Sequence, residues 1–198
     1  MQEYEDIIRS ETEKSRMTKF LTVSNDTYDY AILPLERRMT HKFRNAVADA
    51  LLYMLEEELK NSNVILLPEA KAFLLTTFAD KTGLTVVPIR KRDYRIPDQI
   101  TIEQKKAYKG AADMFCVGLE RGDRPLLVED TISSGGTAMA VESAMRRSGF
   151  PLVGIGTLYA RGDGVENILK KTGYVAKAYA RFEVLDNMPR ITSFYRRL

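Results

Sequence analysis

The sequence predicts an α/β fold, a mostly parallel twisted sheet with helices on both faces, and three observations carry that prediction. Short, fully apolar runs recur at Val64–Pro68 and at residues 84–89, 125–129 and 152–159. Stretches with helical spacing separate them, as in a chain that crosses from one parallel strand to the next. No repeat, low-complexity tract or Gly/Ser linker interrupts the 198 residues, so residues 1–198 are expected to form a single domain.

Taken in order, residues 2–16 read as a polar helix, and residues 19–25 and 28–34 as two short β segments around the turn signal Asn25-Asp26. From residue 39 to 60, Phe43, Val47, Ala50, Leu51, Met54, Leu55 and Leu59 fall on one helical stripe, which predicts an amphipathic core helix. Val64–Pro68 reads as a buried strand, 72–81 as a helix closed near Gly83, and 84–89 as the next strand. The pattern repeats with a strand at 125–129, a helix at 137–148 ending at Gly149, and a strand at 152–159. Residues 165–171 and 174–185 continue it, and the tail 186–198 either packs on a partner subunit or frays. In such sheets ligands bind beyond the carboxyl ends of the strands, so the loops after Leu67, Ile89, Val128 and Leu158 should converge on one site.

Composition narrows the function. Thirty basic residues face 27 acidic ones, and the net charge of +3 gives no argument for nucleic acid. No run approaches the roughly 18 apolar residues of a membrane span. The start, MQEYEDIIRSETEK, is too polar for a secretory leader, and with one cysteine, Cys116, the expected location is the cytoplasm. A single histidine, His41, expected at the surface, rules out a histidine-based metal centre or a conventional triad. Arg90-Lys91-Arg92-Asp93-Tyr94-Arg95 places four cations in six residues, enough to hold a small polyanion.

The segment that carries chemistry runs from Leu126 to Thr137: an apolar strand, then Glu129 and Asp130, then Thr131-Ile132-Ser133-Ser134-Gly135-Gly136-Thr137 opening a helix. Glycines let backbone N–H groups approach phosphate oxygens, hydroxyls add donors, and the helix start adds positive partial charge. It is not a Walker loop, since no Gly-Lys-Ser/Thr follows. Carboxylates repel phosphate, so Glu129 and Asp130 suit another part of the ligand, and ribose hydroxyls donate well to them. Together these features describe a pentose 5-phosphate site. A capped helix after an acidic strand end would account for Asp130 and Ser134 but not for the whole segment.

This segment resembles the PRPP-binding motif of type I phosphoribosyltransferases, which bind 5-phosphoribosyl-1-diphosphate (PRPP) and Mg²⁺. The resemblance extends in order over residues 28–185. It implies that fold with a small hood built from terminal segments, here residues 1–34 and 159–198. It implies that Glu129 and Asp130 hold the ribose hydroxyls, with Mg²⁺ carried mainly by PRPP and touching these two acids, and that Thr131 to Thr137 bind the 5′-phosphate. Glu69, Ala70 and Lys71 fall where the family has its diphosphate loop, with Ala72 in place of a usual glycine. The stretch from Ile89 to Pro97 is similar to the segment opening the mobile loop of adenine phosphoribosyltransferases and their archaeal purine-salvage relatives. Arg90 and Lys91 would then neutralise the departing diphosphate. Tyr108 would help close the loop, although the acid often found before it is Ala107 here. The segment from Asp93 to Lys106 would be the lid that excludes water.

The resemblance implies transfer of phosphoribose from PRPP to a purine base in salvage, releasing a nucleoside monophosphate and diphosphate. The expected partners are PRPP, a purine and a second copy of the chain, with no nucleic acid and no membrane. Arg161, in the stretch from Tyr159 to Gly164 where the base is recognised, is a pure donor and suits the O6 of hypoxanthine or guanine. Ser133 stands where many 6-oxopurine enzymes carry an aspartate, and the Ile89 to Pro97 segment is adenine-like, so the sequence favours adenine with 6-oxopurines as the alternative. A PRPP-sensing transcription regulator of the same fold is the rival class, and a helix-turn-helix ahead of the core would mark it.

Overall fold

Val64–Pro68 is buried along its whole length and pairs in parallel on both sides, which makes it the middle of the sheet. The structure, a computed structural model, describes residues 2–21, 27–69, 75–104 and 112–197. After helix α1 (Gln2–Thr12) comes an antiparallel hairpin, β1 (Arg16–Leu21) and β2 (Thr27–Ile32). Then follow α2 (His41–Met54), α3 (Glu56–Asn61), β3 (Val64–Pro68), α4 (Thr76–Thr82) and β4 (Thr85–Arg90). The chain continues through β5 (Ile100–Ile102), β6 (Met114–Cys116), β7 (Pro125–Ile132), α5 (Gly136–Arg147), β8 (Gly154–Ala160), α6 (Gly164–Thr172), β9 (Ala176–Leu185) and β10 (Met188–Phe194).

Among the described residues the main sheet runs β10-β9-β8-β7-β3-β4-β6-β5. The five strands from β9 to β4 are parallel, and β10, β6 and β5 are antiparallel edges. The chain moves from β3 outward to β4 and later returns to β7 on the other side of β3. Strand order therefore reverses between β3 and β7, and the loops leaving their carboxyl ends part there to open a crevice.

Two cores cover the two faces. Leu51, Phe43, Phe78, Leu126, Val128 and Leu158 belong to one, beneath α1, α2 and α4. Leu66, Leu127, Val141, Met145, Ile155 and Ile168 belong to the other, beneath α5 and α6. His41 is exposed at the start of α2, where Thr40 caps the helix by accepting from the Phe43 N–H at 3.1 Å.

The structure departs from expectation in three places, and one further expected element is only partly described. The single helix expected from 39 to 60 bends at Leu55 (φ −101°, ψ 15°) into α2 and α3. The reason is the sheet below: a Cβ on Gly156 would lie 2.6 Å from Leu55 Cδ1, so Leu55 sinks into a notch that only glycine leaves open. Strands β5 and β6, three residues each, lack an apolar run long enough to read, and β5 lies inside the segment expected to be an unbroken lid. The helix expected over 72–81 is described from Thr76, residues 72–74 lying outside the described set. The tail forms a strand instead of fraying: Asp186 (φ 51°) and Asn187 (φ 59°) make the tight left-handed turn that favours a hairpin, and β10 pairs with β9.

Beyond β10 the chain is latched to β9 and to its own N-terminal half. Tyr195 N–H donates to Tyr179 O at 2.7 Å, Arg196 pairs with buried Glu5, and Arg197 stacks 4.4 Å over the Tyr53 ring.

Cys116 is fully buried on β6, register partner to Ile89 and Ile100. Burial pushes its thiol from the ordinary 9.0 up to about 12. The native protein is therefore expected to leave a chromogenic disulfide reagent untouched at pH 8 and to titrate one thiol in denaturant. Because the folded value is raised, this group's contribution to stability is present below pH 9.0 and is lost as pH climbs toward 12. Fast labelling of the native protein would show the β6 edge opening readily.

Candidate active site

The site is built where β3, β4, β7 and β8 end. Along β7, Leu126 and Val128 face the first core and Leu127 the second. Strand alternation carries on past them, so Asp130 turns toward the first face and Glu129 toward the second. Both are buried, Asp130 at 2% and Glu129 at 7% exposure. Asp130 lies close enough to Tyr159 for its charge to help hold that buried hydroxyl protonated, after burial itself. Two adjacent carboxylates this deep at a strand end are costly to place unless they meet polar partners.

Next to them the chain turns into the loop from Thr131 to Thr137. Ser133 and Ser134 are exposed, Gly135 is buried, and Gly136 opens α5. Gly135 adopts φ +79° at the N-cap, and Ser134 Oγ accepts from Gly136 N–H at 3.4 Å. The first helical bond runs from Met139 N–H to Gly135 O at 3.0 Å, so the N–H groups before it point out of the helix start. An anion resting on this loop meets those N–H groups and the serine hydroxyls together.

The loop is clasped from the side by the start of α6. A Cβ on Gly164 would lie 2.2 Å from Ser133 O, and one on Gly135 would lie 2.7 Å from Gly164 O. Backbone therefore touches backbone, and the loop's shape depends on two residues having no side chain. Arg161 N–H donates to Ile132 O at 3.0 Å, which ties the exit of β8 to the exit of β7. The clasp by Gly164 escaped the sequence reading because glycine in a turn has many ordinary reasons to be there.

The second cluster lies across the crevice at the ends of β3 and β4. Pro68 and Ile89 are register partners, so Glu69, just past the end of β3, and Arg90, the last residue of β4, lie side by side. Arg90 Nη2 donates to Glu69 Oε1 at 3.1 Å, and Lys91 N–H donates to Glu69 Oε2 at 2.9 Å. The Lys91 N–H, followed by the Arg90 guanidinium, holds the Glu69 carboxyl below the usual carboxylate range. Lys71, Ala70 and Tyr108 lie outside the described residues.

The segment expected to be a lid is ordered by its own polar groups over its first half. Tyr94 N–H donates to Gln99 Oε1 at 2.7 Å, and Gln99 Nε2 donates to Asp93 Oδ1 at 2.8 Å. Its far side reaches the loop from Thr131 to Thr137, where Gln104 Nε2 donates to Thr137 Oγ1 at 3.3 Å. Gln104 was not foreseen, since nothing in its local sequence marks a partner thirty-odd residues away.

The N-terminal elements reach the same end of the sheet. Tyr159 on β8 shares a 2.7 Å hydrogen bond with Thr12 of α1, and Arg9 Nη1 donates to Ile191 O at 3.1 Å. Helix α1 is followed by the β1–β2 hairpin, so no helix-turn-helix precedes the core among the described residues. Among the described residues no helix is long and apolar enough to cross a membrane.

Comparison with known proteins bears on this arrangement. A Methanotorris igneus protein named hypoxanthine/guanine phosphoribosyltransferase is 31% identical over 169 residues, covering 83% of this chain and 91% of that protein. A protein of the same name from Methanocaldococcus vulcanius is 34% identical over 125 residues, covering 63% and 68% of the two chains. Solved structures share the fold: the adenine phosphoribosyltransferase of Leishmania donovani superposes with a TM-score of 0.67 at 17% identity, covering 87% of this chain and 78% of that one. That of Thermoanaerobacter pseudethanolicus gives 0.65 at 20% identity, covering 84% and 96%. No family model matches the chain.

Proposed function

The chain belongs to the type I purine phosphoribosyltransferases, and from that premise we propose that its preferred acceptor is a 6-oxopurine, hypoxanthine or guanine, joined to the phosphoribosyl group of PRPP. The observation that carries the choice of base is the near full-length similarity to a protein named for those two bases. Arg161 supports it: a side chain with only donors suits an O6 acceptor and is ill matched to the N6 amino group of adenine. Adenine is the second reading, favoured by Ser133 and by the character of the Ile89 to Pro97 segment.

In this reading the 5′-phosphate rests on Thr131 to Thr137 and the ribose hydroxyls donate to Glu129 and Asp130, while the base lies against Arg161. A Mg²⁺ bound with PRPP takes mainly phosphate and water oxygens as its ligands. Glu129 and Asp130 would hold that ion together with PRPP, and it would supply positive charge to the diphosphate. As the bond from C1 to the diphosphate oxygen breaks and a bond to a purine nitrogen forms, Arg90, Lys91 and Lys71 meet the growing negative charge. Tyr108 closes the lid over the reacting atoms.

Residues 1–34 and 159–198 act as the hood of a single domain, a reading supported by the contacts of Thr12 with Tyr159 and of Arg9 with Ile191. The enzyme works in the cytoplasm as a homodimer, yielding a nucleoside monophosphate and diphosphate. The test is a panel of initial rates with hypoxanthine, guanine and adenine under saturating Mg²⁺ and PRPP. Hypoxanthine or guanine is expected to give a kcat/KM at least about tenfold above adenine, the size of one matched hydrogen-bonding edge. Arg161→Ala is expected to erase the difference. An adenine preference that survives Arg161→Ala reverses the assignment.

A further inference from the structure

We propose that Glu69 is a positioning residue, a mount that fixes the direction of the Arg90 guanidinium, and that it acts on the reaction through Arg90 instead of by touching PRPP. The inference rests on the reading that Arg90 meets the departing diphosphate. Register brings the two together: Pro68 and Ile89 are paired at the ends of β3 and β4, so the next residues, Glu69 and Arg90, emerge as neighbours.

Glu69 divides its carboxylate between two kinds of partner. One oxygen takes the main-chain N–H of Lys91 at 2.9 Å, and the other takes Arg90 Nη2 at 3.1 Å. The bond to the main chain matters most. It pins the carboxylate to the exit of β4, which leaves the second oxygen aimed in one direction and gives a long, flexible cation a fixed seat.

Charge argues against a direct ligand role. A carboxylate beside a diphosphate repels it, so contact with PRPP oxygens would weaken binding. Stability does not explain the pair either. Arg90 and Glu69 side chains are 45% and 42% exposed, and ion pairs of that exposure contribute little to folding. Seating the cation uses the negative charge where it helps. The Lys91 N–H and the Arg90 guanidinium also hold the carboxyl below the usual carboxylate range.

The experiment is a double-mutant cycle in the full chain with Mg²⁺, PRPP and hypoxanthine, reading kcat, PRPP KM and melting temperature for Glu69→Ala, Arg90→Ala and both together. Glu69→Ala is expected to lower kcat about tenfold or more with PRPP KM changed less than about threefold, as misaimed catalytic groups do. Melting temperature should hold. In the Arg90→Ala background the same change should lower kcat no more than about twofold, because the group it positions is gone. Losses that multiply, an unchanged kcat in Glu69→Ala, or a raised KM with normal kcat would each overturn the proposal. Full kcat in Arg90→Ala alone would remove the role of Arg90, and the mount with it.

Discussion

Asp130→Asn and Glu129→Gln should each bind PRPP about ten- to a hundredfold more weakly, the loss that follows when a charged hydrogen bond worth about 1.5–3 kcal/mol becomes a neutral one. The motive is their placement: two acids at 2% and 7% exposure, at the end of a strand that leads straight into the phosphate loop. The amides are isosteric, so no cavity opens. Melting temperature should therefore stay level. That combination separates a ligand-binding role from a structural one. Calorimetric titration of PRPP with Mg²⁺ reads the affinity and a thermal melt reads the fold. Unchanged affinity in both variants would remove the ribose-binding role, and a collapse in melting temperature would make the acids structural.

The second large effect is steric. Gly164→Ala would place a Cβ 2.2 Å from Ser133 O and 2.9 Å from Ile132 Cγ2. A main-chain oxygen cannot swing aside as a side chain can, so either α6 lifts or the loop from Thr131 to Thr137 shifts. Overpacking of this kind costs about 1–3 kcal/mol, and in a chain of this size each kcal/mol lowers the melting temperature by roughly 2–4 °C. PRPP affinity should fall as well, because the loop's N–H groups lose their common aim. Gly149→Ala is the control: its φ is +85° and nothing lies within 4 Å, so only backbone strain of about 1 kcal/mol or slightly more is added. Equal destabilisation with normal PRPP binding in both variants would show that the clasp does not shape the site.

What was legible in the sequence had a local cause. The strand at Val64–Pro68 was found to the residue because an unbroken apolar run admits little else once both faces are buried. The segment from Leu126 to Thr137 was legible because its chemistry is contiguous: strand, acids, donors and helix start follow one another. Strand β10 was missed although Asp186-Asn187 is a turn signal, since its residues alternate weakly and one edge is open. The pairing of Glu69 with Arg90 could not be read, because it depends on which strands are neighbours, and β3 lies beside β4 only once the sheet is assembled.

The pairing of Arg196 with Glu5 joins residues 191 positions apart. A contact of that span forms late in folding, because the entropy of closing so large a loop must be met before the contact can return anything. During synthesis, Glu5 and the outer edge of β9 wait uncovered until nearly all of the described chain has left the ribosome. A nascent chain stalled before residue 188 would present that open edge to its neighbours, where unpaired strands recruit one another.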